Sequence, residues 1–136
     1  MQLIHHLTDD QIHQLHQLYQ NEYWSKGRSL EDTFQCIQGS TIIFALVENN
    51  QLMAFARVLT DYVFKALIFD VIVSPSQRAQ GLGKQIIESI THDPRLKKVK
   101  HIELYCLPEL FEFYSQFGFT QETGAMKLMR RDRDST

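Results

Sequence analysis

The run Phe69-Asp70-Val71-Ile72-Val73-Ser74-Pro75-Ser76-Gln77-Arg78-Ala79-Gln80-Gly81-Leu82-Gly83-Lys84 constrains the fold of this chain more than any other. Its apolar, β-branched opening reads as a strand. Two glycines one residue apart then open a helix whose Leu82, Ile86, Ile87 and Ile90 form a single apolar stripe. A further strand is expected over Val99–Cys106, so the helix is a crossover and the two strands it joins should lie parallel. The glycines let backbone N–H groups approach an anion, and the helix adds its positive end, so the turn reads as a phosphate cradle. It lacks the third glycine of a dinucleotide fingerprint and the Gly-Lys-Ser/Thr ending of a P-loop. From the glycines alone, a plain strand-to-helix turn is the favoured reading.

The rest of the chain supplies a mainly antiparallel frame. Gln2 to Leu7 reads as a first strand. Thr8 can cap a helix in which Ile12, Leu15, Leu18 and Tyr19 recur at spacings of three and four, ending near Tyr23-Trp24. Gly27 breaks the chain, and Ser29 with Asp32 opens a second helix that Gly39 stops. Thr41–Glu48 and Leu52–Leu59 form a hairpin about Asn49-Asn50-Gln51, and a turn at Asp61 leads into Ala66–Val73. Asp93-Pro94 ends the cradle helix. A helix around Tyr114 and a last strand over Ala125–Arg130 complete the order β-α-α-β-β-β-α-β-α-β. The expected class is α+β: a mixed, mostly antiparallel sheet with one parallel pair and helices on both faces.

Length and charge narrow the function classes. A chain of 136 residues suits one domain spanning 1-136, with a core of ordinary size. A net charge of -2 gives no electrostatic reason to expect nucleic acid. No apolar run approaches the roughly 18 residues that span a bilayer, and Met1 to Leu7 carries no secretory pattern, so a cytoplasmic protein without membrane association is expected. Cys36 and Cys106 sit in apolar contexts and are expected to be buried reduced thiols. His13 and His16 share a helix face, but no carboxylate or cysteine completes a set, so no metal is expected.

Two segments together resemble the GNAT superfamily of acetyl-CoA-dependent N-acetyltransferases. One is Asp70-Val71-Ile72-Val73-Ser74-Pro75 with Arg78-x-x-Gly81-x-Gly83. The other is Phe113-Tyr114-Ser115-Gln116-Phe117-Gly118-Phe119, which follows the strand through Tyr105-Cys106 in the family's order. The resemblance covers about half the chain, from Ala66 to Phe119, while the first part matches only in its pattern of elements. It implies the GNAT fold, with the parallel pair splayed apart and the pantetheine arm of acetyl-CoA inserted beside Val71, Ile72 and Val73. By the same resemblance Arg78, Ala79, Gln80, Gly81, Leu82, Gly83 and Lys84 surround the pyrophosphate, and one strand N–H polarises the thioester carbonyl. No metal is implied.

The resemblance makes Tyr114 the donor of a proton to the departing thiolate, a task for which a phenol of pKa ~10 is suited. Asp70 is the first candidate for the base, or else a residue that orders the loops while pointing away from the face of Phe69 and Val71. Glu103 and Glu112 are further candidates. Trp24, Arg28, Arg57 and Asp61 are placed near the substrate, and Arg57 in its apolar run also reads as a paired structural cation. If Arg28 and Arg57 both face the cleft, the substrate should carry a phosphate or carboxylate. The expected reaction moves an acetyl group to the primary amine of a small molecule by direct attack. The alternatives are an amino-sugar enzyme of the glucosamine-6-phosphate N-acetyltransferase type or a non-catalytic acetyl-CoA-binding regulatory module. Phe69 stands where the amino-sugar subgroup has an acid, and Leu107-Pro108-Glu109-Leu110 lacks its asparagine. Pairing into a homodimer is left open.

Overall fold

Asn49 and Asn50 both adopt left-handed backbone, with φ 51° and 64°, and this tight turn sets the register of the sheet. It joins strand β2 (Ile42–Glu48) to β3 (Gln51–Thr60), and Asp61 turns the chain again into β4 (Lys65–Val73). The Asp61 carboxylate accepts hydrogen bonds from the N–H groups of Val63, Phe64 and Lys65, which fixes that turn and commits the side chain to it. The computed structural model describes residues 1–133. They fall into two compact units, Met1–Tyr105 and Cys106–Thr136, the second described as far as Arg133.

In the first unit β1 (Gln2–Ile4), β2, β3, β4 and β5 (His101–Leu104) form a five-stranded sheet in sequence order. The β1–β2, β2–β3 and β3–β4 pairs are antiparallel, and β4–β5 is parallel, as the crossover through α3 (Leu82–Thr91) requires. Helix α1 (Asp9–Gln20) starts at Thr8, whose hydroxyl accepts from the Gln11 N–H while the Gln11 side chain accepts from Thr8 N–H. It stops earlier than expected, and Tyr23-Trp24 lie in the turns that follow. Helix α2 (Leu30–Gln38) is capped by Ser29 and ends at Gly39.

All of β2 from Ile42 to Val47 is buried, as a strand covered on both faces must be. Ile43, Ala45 and Val47 pack with Leu15, Leu18 and Tyr19 of α1 and with Phe55 and Ile72. The alternate residues Ile42, Phe44 and Leu46 face the side covered by the Ile86, Ile87 and Ile90 stripe of α3. The chain thus has the α+β class expected, with helices flanking a mixed sheet.

In the second unit a short helix α4 (Phe111–Ser115) carries Tyr114, packed edge to face against Phe113 and Phe119. The expected strand over Ala125–Arg130 does not form. Its apolar residues are not buried: Met126, Leu128 and Met129 are all exposed. Without burial or ladder hydrogen bonds, the alternation has no structural consequence. Cys36 and Cys106 are free thiols, half-buried rather than buried, and burial pushes the Cys106 thiol up from its ordinary value.

Candidate active site

Strand β4 does not run straight through Asp70. Phe55 pairs with Ile72 and Arg57 with Phe69, so one residue of β3 faces two of β4, and Asp70 takes up the extra length with φ 57°. Left-handed backbone in a strand inverts the alternation expected for Asp70. Its carboxylate shares a face with Phe69 and Arg57 rather than pointing away from them. There Oδ2 accepts three hydrogen bonds, from the Tyr19 hydroxyl at 2.8 Å, Arg28 Nη1 at 2.8 Å and Arg57 Nε at 2.7 Å.

The carboxylate at its centre lies almost out of water, the Asp70 side chain being 6% exposed. Burial raises its pKa, but the hydrogen bonds from Arg28 and Arg57, and the charge of Arg57, hold it below the ordinary carboxylate range. Burial likewise lowers the arginines, and Asp70 more than offsets it, leaving both firmly charged. The Tyr19 phenol is pushed well above its usual value by burial and by the Asp70 charge, so it stays a donor. Aromatic rings hold the guanidiniums from the other side: Arg28 lies 4.6 Å from the Tyr19 ring centre and 5.4 Å from that of Trp24, and Arg57 lies 5.0 Å from that of Phe69. The structure therefore brings Trp24, Arg28, Arg57 and Asp70 together. Asp61 remains in its turn, and Glu103 is paired with Lys65 at 3.0 Å.

The parallel pairing of β4 with β5 ends just before the bulge, at Ile68 and Leu104, while β4 continues to Val73. No strand among the described residues pairs with Phe69–Val73 on that side, which leaves backbone groups available to an extended ligand. The chain then turns through Pro75–Gln77 into the exposed loop Arg78–Gly81. Ala79 (φ 65°) and Gly81 (φ 77°) are both left-handed, and Gly81 is the residue that opens α3. The backbone N–H groups from Arg78 through Lys84 donate to no described residue; the first to do so is Gln85, to the Gly81 carbonyl. A ring of uncommitted donors at the start of a ten-residue helix suits a phosphate group. Nothing lies within 4 Å of a Cβ built on Gly81, so its role is conformational and not a relief of crowding. The Arg78 guanidinium is held by Glu22 at 3.0 Å, and Lys84 lies 3.9 Å from Glu88.

In the second unit, burial and the nearby Cys106 push the Tyr114 phenol up to about 12, so it is protonated at neutral pH. Among the described residues no group of three or more His, Cys, Asp or Glu could hold a metal ion. No helix there is long and apolar enough to cross a membrane.

The sequence model of the acetyltransferase (GNAT) family matches residues 10–119. The chain belongs to that family. It is 31% identical over 122 residues to an uncharacterized N-acetyltransferase, ycf52, of Pyropia yezoensis, covering 87% of this chain and 70% of that protein. It is 40% identical over 77 residues to GCN5-related N-acetyltransferase 1, chloroplastic, of Arabidopsis thaliana, covering 57% of this chain and 39% of that one. A crystal structure from Xanthomonas campestris pv. campestris, described as belonging to the GNAT family, superposes with a TM-score of 0.82 at 25% identity, covering 98% of this chain and 94% of that chain. Glucosamine-6-phosphate N-acetyltransferase from Arabidopsis thaliana superposes at 0.72 over 95% of this chain and 99% of its own with 16% identity, a likeness of fold alone.

The sequence reading missed two residues that take part in these contacts. Tyr19 reads as one more apolar position on the α1 stripe, although a buried tyrosine hydroxyl calls for a partner, and Asp70 is that partner. Glu22, which holds Arg78, carries no sequence signal beyond its charge.

Proposed function

We propose that this acetyltransferase takes its acetyl group from acetyl-CoA and transfers it to the primary amine of a small molecule by direct attack. The observation that carries this reading is the loop Arg78–Lys84, whose left-handed turn and uncommitted N–H groups suit the pyrophosphate. Acetyl-CoA supplies an acetyl group activated as a thioester. The free edge of Phe69–Val73 suits the pantetheine amides, which would add to β4 as an extra strand does. A backbone N–H on that edge polarises the carbonyl, after which the amine nitrogen bonds to the carbonyl carbon and the carbon–sulfur bond breaks.

Tyr114 gives its proton to the leaving sulfur. That assignment rests on the Phe113-Tyr114 motif and on a phenol that stays protonated at neutral pH. Of the two roles open to Asp70, its surroundings favour the ordering one. A carboxylate whose oxygen already accepts three hydrogen bonds, and whose pKa is held low, is a weak proton acceptor. The amine proton then leaves to water.

The test is thiol release from acetyl-CoA across a panel of amines, with acetyl-CoA binding measured in parallel. Amine-dependent release supports the reading. Binding without any such release points to a regulatory module, and no binding removes the proposal.

A further inference from the structure

Two guanidiniums share one oxygen of one carboxylate, so the Asp70 cluster carries a net positive charge with donors to spare. Arg57 uses only Nε on Asp70 and Arg28 uses only Nη1. Both Arg57 Nη atoms, and the Nε and Nη2 atoms of Arg28, have no protein acceptor among the described residues. No buried side-chain nitrogen or oxygen there lacks a partner, so these donors reach solvent. The side chains are 34% exposed at Arg28 and 16% at Arg57. Glu22, in the turns that lead to Arg28, is already bound to Arg78.

The guanidiniums are also held still. Asp70 fixes one edge of each, and the Tyr19, Trp24 and Phe69 rings fix their planes. Fixed forks with free N–H groups are what bidentate recognition of an oxyanion needs, because little side-chain freedom is lost on binding. The second place for a negative charge is therefore outside the protein. Asp70 sits at the head of the free β4 edge, so a ligand held by Arg28 and Arg57 lies beside the stretch proposed to hold the thioester.

We infer that Arg28 and Arg57 form an oxyanion subsite, and that the acceptor is an amine bearing a carboxylate or a phosphate monoester. This rests on the acetyl-transfer reading above and assigns its substrate class. Tyr19 and Asp70 are positioning residues in it: they touch the arginines, and the arginines touch the acceptor. Because Asp70 stays charged at neutral pH, it also screens the pair, so the subsite needs only one further negative charge to be neutral.

The experiment compares matched amines differing only in their far end: an ω-amino carboxylate, its N-methyl amide, an ω-amino alkyl phosphate and the corresponding alcohol. At low salt the anionic member of at least one pair should have a kcat/KM about 10–100-fold higher than its neutral partner. The preference should reside mainly in KM and shrink as salt is raised. Whichever anion gains more identifies the group. Arg57→Met should abolish the preference while leaving the KM for acetyl-CoA within about twofold, and Arg28→Lys, which keeps the charge without the fork, should retain part of it. Should Arg57→Met fail to fold, Arg28→Lys and the salt dependence of the parent enzyme decide. Equal turnover of charged and neutral amines, or a preference that neither substitution diminishes, overturns the subsite while leaving acetyl transfer intact. Absence of thiol release with every amine instead overturns the acetyl-transfer reading.

Discussion

Replacing Asp70 by Asn keeps the shape of the side chain and one oxygen acceptor while removing the charge that Arg28 and Arg57 share. Breaking a fully buried pair costs about 3–5 kcal/mol, whereas an exposed pair is worth about 0–1 kcal/mol. The Arg57 limb, 16% exposed against a 6% exposed carboxylate, approaches the first case. The Arg28 limb, 34% exposed, is discounted toward the second because solvent screens it. Tyr19 can still donate to the amide oxygen. The expected loss is then ~2–4 kcal/mol, which for a chain of this size lowers Tm by roughly 6–20 °C. Because the folded-state pKa of Asp70 lies below its unfolded value, its stabilisation is complete above the unfolded-chain value of about 3.9. It is lost only as pH falls through the folded value. Thermal unfolding of parent and Asp70→Asn, followed by circular dichroism, should show a gap that is constant from about pH 5 to 8 and closes below about pH 4. A midpoint within about 2 °C of the parent at neutral pH, or a gap that closes between about pH 5 and 7, would refute the ion-pair account.

Three further outcomes are expected. Gly81→Val, at φ 77°, should cost ~1–2 kcal/mol of backbone strain or remodel the loop, lowering acetyl-CoA affinity at least tenfold with the far-ultraviolet spectrum unchanged; an unaltered titration of the folded variant would reject the cradle. Tyr114→Phe keeps the ring beside Phe113 and Phe119 and deletes the donor, so kcat should fall ~10²–10⁴-fold at saturating acetyl-CoA, and turnover within twofold of the parent would make Tyr114 a packing residue. Thr8→Ala removes the reciprocal cap of α1 and should cost ~1 kcal/mol in a urea titration, with a cost near zero showing that the cap contributes nothing.

What the chain discloses before folding depends on how local each cause is. The Asn49-Asn50 turn, the Thr8 and Ser29 caps and the Leu82–Ile90 stripe are written in adjacent residues, and all three appear where the sequence places them. The Ala125–Arg130 alternation is equally local, but a strand needs a neighbour, and no alternation encodes one. Of the candidate site, Arg28, Arg57 and Asp70 were legible as separate residues and not as an arrangement. Arg28 and Arg57 lie far from Asp70 in sequence, and the bulge that turns Asp70 toward them depends on how β3 and β4 register against each other. Strict alternation puts Asp70 on the opposite face, and one residue in left-handed backbone reverses that.

The sequential order of the sheet bears on how the chain reaches its native state. The β2–β3–β4 meander closes through the short turns at Asn49-Asn50 and Asp61, so its contacts form between residues already close along the backbone. The first and last strands must instead wait for longer segments, one holding α1 and α2, the other α3, to bring their ends together. Each doubling of such a loop adds only about 0.6 kcal/mol of closure entropy, a modest toll on equilibrium stability but one met before any reward of contact. The β4–β5 pairing, which ends at Ile68 and Leu104, is therefore expected to form late in folding, after the meander has fixed the bulge at Asp70.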